Sequence, residues 1–313
     1  MAVNMNAPIK YFGGKGQMFN KIIEHFPDSS TYDTYIEPFG GSFSIGLKKP
    51  NETPIEIYND LEKNVYSLYK VLSDKELFEQ FKIKCDLSYY IADLRNEYRD
   101  KLKSDDLSLL DRAFYFFYVN RTSHNGIGGL SVNTVVRRNM SKSVSDMLSC
   151  IDRLPELHQR LSRCIVLNQD GINLIEKYNK ENVFIYSDPP YEWSTRTSVR
   201  YKVDMDREGH LKFIDACLNS KAKILISGYD CEIYDALTDA NFTKIKFEVN
   251  TIGGNMKPKT KVETFFNKLY VDNDGILSKV NADLSNISPS CDCHTHSFNG
   301  NVVGNKNYNK TWR

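Results

Sequence analysis

Val183-Phe184-Ile185-Tyr186-Ser187-Asp188-Pro189-Pro190-Tyr191 is an apolar run that ends in an acid, two prolines and an aromatic ring. A run of this length and composition reads as a buried strand that leaves its sheet at Ser187. The prolines remove two backbone donors and fix two φ angles, so nearby carbonyls have no ladder to join. They stand rigid and free to accept from something else. An acid, a free carbonyl and a flat ring suit a planar group with an amino donor, such as adenine or cytosine lifted from its stack. The plain alternative is a strand closed by a proline turn with a capping Asp. The rest of the chain decides between them.

Four more runs share the pattern. Thr34-Tyr35-Ile36 ends at Glu37-Pro38-Phe39-Gly40-Gly41, Ile55 to Tyr58 at Asn59-Asp60, Cys164 to Leu167 near Asp170, and Lys223 to Ser227 at Gly228. Strands alternating with helix-like segments predict a parallel α/β sheet. Two later runs, Lys244 to Val249 and Val262 to Val271, read as an antiparallel hairpin closing it. Ligands on open α/β sheets bind beyond the carboxyl ends of the strands, so these polar corners should converge on one site.

The Glu37-Pro38-Phe39-Gly40-Gly41 corner brings backbone close to a ligand and opens a helix whose first amides are free donors. Asp60, at the end of the next strand, is placed to hold ribose hydroxyls. Upstream, Lys10-Tyr11-Phe12-Gly13-Gly14-Lys15-Gly16 also looks like a ligand loop. It lacks the glycine spacing and the Ser or Thr of a phosphate-binding P-loop, so Lys15 is better placed to meet a carboxylate. A flexible N-terminal turn is the other reading of that loop.

Bulk properties narrow the class. The chain has 313 residues, is 41% hydrophobic and 12% aromatic, and has a net charge of +1. That fits a globular protein with a real core. No apolar run approaches the ~18 residues that span a bilayer, so no membrane partner is expected. Met1 to Lys10 lacks the apolar core of a signal peptide. Seven scattered cysteines fit reduced thiols in a cytosol-like compartment, and hence a cytoplasmic protein. The expected state is a monomer. Charge is uneven: Arg112 to Arg163 holds eight Arg or Lys against three acids, the place to expect phosphate contacts.

That basic stretch belongs to an interval, 64–163, that breaks the strand–helix alternation. It reads as an inserted, largely helical domain with an exposed turn at Arg121-Thr122-Ser123-His124-Asn125-Gly126-Ile127-Gly128-Gly129. Residues 1–63 and 164–271 would form the discontinuous catalytic domain, and 272–313 a polar, poorly packed tail. The tail's Cys291-x-Cys293-His294-x-His296 cluster is spaced too tightly for the usual tetrahedral zinc pairs, so no metal is expected. Ser194 to Arg207 carries Arg196, Arg200, Lys202 and Arg207 and reads as a loop that orders on a DNA backbone, or as an ordinary solvated charged loop.

Together these pieces resemble the adenine-specific DNA methyltransferases of the Dam type, the D12 class, from about Ala7 to Tyr270. The aromatic-x-Gly-Gly-Lys loop, the Glu-Pro-Phe-Gly-Gly corner and the Asp-Pro-Pro-Tyr motif follow one another in the family's order. The resemblance implies a Rossmann-like fold, S-adenosylmethionine as methyl donor and double-stranded DNA as partner. It implies that Tyr11, Gly13, Gly14, Lys15, Glu37, Pro38, Phe39, Gly40, Gly41, Asp60, Asp188 and, less directly, Asp170 form the cofactor pocket. Asp188, Pro189, Pro190 and Tyr191 would act on the flipped adenine by direct transfer, with no cysteine nucleophile. Arg121, His124, Asn125, Arg137, Arg138, Arg196 and Arg200 would contact DNA.

Two positions depart from the family. His124 stands where the family has tyrosine, and Gly129 where it has a base-reading arginine. Such an arginine contributes about 1–3 kcal/mol of discrimination, so its absence removes the reason to expect GATC as the target. The rival activities are amino methylation of RNA or of a protein glutamine, whose enzymes more often carry Asn in place of Asp188, and DNA binding without catalysis.

Overall fold

Short runs of strong strand formers, each closed by a polar corner, assemble into one mostly parallel sheet. The computed structural model describes residues 5–11, 13–50, 52–126, 128–192, 203–240, 242–251 and 259–268, all within one unit, Met1–Ser278. The described strands are β1 (Thr34–Glu37), β2 (Ile55–Asn59), β3 (Val136–Arg137), β4 (Met140–Ser141), β5 (Cys164–Leu167), β6 (Val183–Ser187), β7 (Lys223–Gly228), β8 (Phe242–Thr251) and β9 (Lys259–Lys268). The helices are α1 (Phe19–Ile23), α2 (Ser44–Lys48), α3 (Lys63–Ser73), α4 (Lys75–Asp86), α5 (Ala92–Lys101) and α6 (Leu109–Thr122), then α7 (Lys142–Asp152), α8 (Leu154–Leu161), α9 (Gly171–Lys177), α10 (Arg207–Asn219) and α11 (Asp235–Asp239).

Seven strands form the main sheet in the order β5-β2-β1-β6-β7-β9-β8. β5 through β7 are parallel, and the β8–β9 hairpin closes the sheet antiparallel to β7. All five expected parallel strands are present. The chain winds outward from β1 in one direction and from β6 in the other. The order therefore reverses between β1 and β6, where open sheets of this kind place their ligand. Register pairs Ile36 with Ile185, so the corners after Glu37 and after Ser187 emerge side by side.

Side chains alternate across the strands, and the two faces differ in character. Tyr35, Tyr58, Phe184, Tyr186 and Phe265 face one layer and pack with Leu68, Tyr69, Leu72, Phe117, Leu157 and Leu161. Ile36, Ile57, Ile185, Ile224 and Ile226 face the other, under Leu174, Phe213 and Leu237. Residues 63–161 are largely helical, with the small β3–β4 hairpin as the exception. Buried residues of α3, α6, α7 and α8 share one apolar cluster with the aromatic face of the sheet. Side-chain caps fix where several of these helices begin: Glu62 accepts from Val65 N, Asp74 from Leu77 N and Ser108 from Asp111 N. The Asp and Ser caps contribute about 1 kcal/mol each. Among the described residues no helix is long and apolar enough to cross a membrane.

Candidate active site

The corner after β1 is built on backbone that tolerates no side chain. A Cβ on Gly40 would lie 2.3 Å from the Tyr58 ring. Gly41 has φ +49°, and a Cβ there would lie 2.8 Å from the Tyr11 ring. Tyr11, on the N-terminal loop, is thereby seated against the corner. Asp60 ties the second corner to the first: Oδ2 accepts from Gly41 N and Oδ1 from Glu62 N, each at 2.8 Å. Burial raises the Asp60 carboxyl to about 6, although both amides oppose the rise. Asn59 adds a further tie, donating from Nδ2 to Pro38 O at 2.7 Å and to Gln169 O at 2.9 Å.

Glu37 ends β1 inside the protein. Its Oε1 accepts from the Tyr35 hydroxyl and from Gly46 N, both at 2.7 Å. Burial pushes its carboxyl up to about 8 against the pull of those two donors. Beside it, at the end of β6, the Asp188 carboxylate is gripped by Lys15, whose Nζ lies 2.8 Å from each oxygen. Lys15 also donates to Gly13 O at 3.1 Å and stands 4.8 Å over the Tyr191 ring. Burial raises the Asp188 carboxyl, and the Lys15 charge opposes that rise. The Tyr191 hydroxyl donates to Glu263 Oε2 at 3.0 Å, and its ring meets Tyr229 edge-on at 4.5 Å.

These corners converge on one cleft of about 560 Å³. Tyr11, Gly13, Gly14, Lys15, Glu37, Phe39, Gly40, Gly41, Asp60, Asp188 and Pro190 all line it. Pro38 and Pro189 are buried, each next in the chain to lining residues on both sides. Asp170 stands apart from it: it is exposed, and its carboxylate caps α9 by accepting from Ile172 N at 2.7 Å and Asn173 N at 3.4 Å. Its neighbour Gly171 does reach the site indirectly, packed against the Phe39 ring. Helices α5 and α6 form the opposite wall of the cleft, with Arg95, Arg99, Phe116, Asn120 and Ser123.

This arrangement of acid, lysine loop and glycine corner can be compared with known proteins. The family model of the D12 class N6 adenine-specific DNA methyltransferases matches residues 11–251. The chain belongs to that family. This D12-class methyltransferase is similar to the type II methyltransferase M.MjaIII of Methanocaldococcus jannaschii, with 23% identity over 76% of this chain and 89% of that protein. It is also similar to the type II methyltransferase M.CviBI of Paramecium bursaria Chlorella virus NC1A, with 22% identity over 77% and 90%. M.FokI of Planomicrobium okeanokoites is 24% identical over 69% of this chain and 34% of its own length.

The residues expected on DNA differ in exposure in the D12-class structure. His124 and Asn125 are exposed on a tight turn after α6, with Asn125 left-handed at φ 51°. Arg121 is buried, 9% exposed, and its guanidinium donates inward to Asp146 O at 2.9 Å. Arg137 and Arg138 sit on the β3–β4 hairpin, exposed, the first paired with Asp146 at 2.7 Å and the second donating to Ser149 Oγ at 3.0 Å. Gly129 is exposed, and a Cβ added there would meet nothing within 4 Å. Arg196, Arg200 and the tail cluster Cys291 to His296 lie outside the described residues.

Two residues near the cleft carried no motif signal, Glu263 and Arg95, whereas Lys10 opens the lysine loop and Asn120 opens the family's Asn-Arg-x-x-Tyr-Asn-Gly turn. Glu263 is a buried acid in a mixed polar and apolar strand, and nothing in the alternation of β9 marks it out. Arg95 acts through Ser123 and Gly128, partners about thirty residues away that local pattern does not reveal.

Proposed function

We propose that this D12-class protein is a site-specific adenine methyltransferase acting on duplex DNA, taking the methyl group of S-adenosylmethionine directly to the amino nitrogen of a flipped adenine. In this reading 1–63 and 164–271 form the catalytic part and 64–163 the target-recognition part. It works as a monomer within the host cytoplasm, as the modification member of a restriction–modification pair. The observation that supports it best is the convergence of Asp188, Lys15, Asp60 and the Gly40–Gly41 corner on one cleft.

The donor set fits S-adenosylmethionine by charge and size. Asp60, Glu62 and Asp188 line the cleft and suit a sulfonium and an ammonium, while Lys15 suits a carboxylate. The cleft volume falls within the ~300–1,000 Å³ of small-molecule sites. When bound, S-adenosylmethionine supplies a methyl group on cationic sulfur, so no covalent enzyme intermediate is needed.

Asp60, Tyr11, Phe39 and the two glycines would hold the nucleoside part. Asp188 and the Pro189 carbonyl would each accept a hydrogen from the adenine amino group. Those bonds draw the nitrogen lone pair out of the ring and aim it, which is positioning plus electrostatics. Lys15 now occupies both Asp188 oxygens and one face of Tyr191. Each Asp188 oxygen keeps acceptor capacity for the adenine amino group, and a carboxylate in the same cleft would give Lys15 a second partner. Tyr191 then offers its ring for stacking, worth about 1–3 kcal/mol, comparable to the few kcal/mol of base extrusion. The proton released as nitrogen becomes alkylated has the Asp188 carboxylate as its nearest acceptor.

The test is transfer of labelled methyl from S-adenosylmethionine to unmodified duplex DNA, followed by nucleoside analysis. Label in N6-methyldeoxyadenosine that disappears in Asp188→Ala is the expected result. Label elsewhere, or label unchanged in that variant, overturns the proposal. Sequencing of the methylated product would map the target site.

A further inference from the structure

One side chain joins two loops that lie 110 residues apart in sequence. Asn120, near the end of α6 and 4% exposed, accepts from Lys10 N at its Oδ1 and donates from Nδ2 to Lys10 O, both at 2.8 Å. An amide that satisfies both backbone groups of one residue acts like a rung of a sheet, and buried groups of this kind are costly to leave unpaired. The same Nδ2 reaches Gly126 O at 3.4 Å.

Lys10 answers from its own side chain. Its Nζ donates to Arg121 O and Ser123 O, each at 3.1 Å, at the carboxyl end of α6 where a cation is favoured. Gly126 has φ +82°, and a Cβ there would lie 2.3 Å from Lys10 O. From α5, Arg95 grips the other side of the turn, donating to Ser123 Oγ at 3.0 and 3.2 Å and to Gly128 O. The turn is thus clamped on both sides, leaving His124 and Asn125 exposed. The clamped loop continues into Tyr11, seated on Gly41, and Lys15, paired with Asp188.

We infer that Asn120 is a positioning residue that couples DNA on the exposed turn to the order of the loop carrying Tyr11 and Lys15. The inference rests on the turn facing DNA, as proposed above. Because the two loops share one set of hydrogen bonds, ordering either lowers the entropic cost of ordering the other. Linkage then requires that DNA tighten cofactor binding by the same factor with which cofactor tightens DNA binding.

The experiment titrates S-adenosylhomocysteine, which cannot react, into the full chain with and without a duplex carrying the mapped site. In the wild type the duplex should tighten binding about tenfold, within the usual range of such couplings. In Asn120→Ala that ratio should fall to about one, and Asn120→Asp, which keeps only the acceptor, should lie between. A merely structural defect weakens binding equally in both conditions and leaves the ratio intact. An intact ratio in Asn120→Ala, or no effect of the duplex on the wild type, overturns the inference. Hydrogen exchange of the wild type gives a readout independent of the variants: the duplex should slow exchange across residues 10–15, and unchanged exchange there also overturns it. A protein that methylates DNA without this linkage refutes the coupling alone, whereas one that binds no duplex refutes the DNA-methyltransferase proposal as well.

Discussion

The Asp188 corner and the turn at His124 belong to opposite walls of one cleft, yet they are finished in opposite ways. Around Asp188 the side chains are already paired: Lys15 holds the carboxylate, Glu263 holds Tyr191, and Gly41 holds Asp60. At the turn the backbone is clamped but His124 and Asn125 are left exposed, and Arg137 and Arg138 on the β3–β4 hairpin are exposed with only surface partners, Asp146 and Ser149. Methyl transfer needs donors and acceptors in place before the base arrives, since misplacement costs rate steeply. Reading a duplex needs groups whose partners are on the duplex, so they stay exposed until it binds. The chemistry is preorganised; the specificity waits for its ligand.

The sharpest way to break that contrast is at the acid. Asp188→Ala should lose more than about a hundredfold in kcat while S-adenosylhomocysteine affinity changes only a few-fold. Single-turnover kinetics with calorimetry would show it, and a variant with near-normal kcat would remove Asp188 from the chemistry. A smaller effect is expected at Asp60. Because burial raises its carboxyl to about 6, cofactor affinity should fall as pH drops through that value and the carboxylate is neutralised. Asp60→Asn should bind about tenfold more weakly at pH 8 and show no such fall between pH 7 and 5.

Glu37 tests the same preorganisation through stability. Its folded carboxyl lies near 8 against an ordinary 4.5, so between those values the folded state holds a proton that the unfolded state has lost. Stability therefore falls as pH rises across that window, by up to about 1.4 kcal/mol per pH unit from this group. Urea unfolding at pH 5 and pH 8 should show a smaller difference in Glu37→Gln than in the wild type. The mildest change is on the other side of the comparison. Gly129 borders open space, so Gly129→Arg should unfold at the wild-type temperature within a degree or two. Methylation mapping of that variant should show an altered base preference, and an unchanged preference would mean that position 129 does not face the bases.

Legibility followed the same divide. Asp188, Glu37, Gly40, Gly41 and Asp60 could be read because each ends a strand, and strand ends in this architecture converge by topology alone. Asp170 shared that signal but not the outcome, because a carboxylate one residue before a helix can cap it and does so here. Arg121 shows the limit for DNA contacts. A basic residue beside an exposed turn looks like a phosphate ligand, but its position on α6 directs it inward to Asp146 O.

By itself the sequence determined the strands, their corners and the order of the motifs, because alternation, proline and glycine act through local sterics. Only the tertiary structure decided that Lys15 meets Asp188 across 173 residues, that Tyr191 leans on Glu263, and that Asn120 locks the turn to Lys10. Those pairings depend on where packed helices and strands deliver side chains in space. No short-range pattern carries that information.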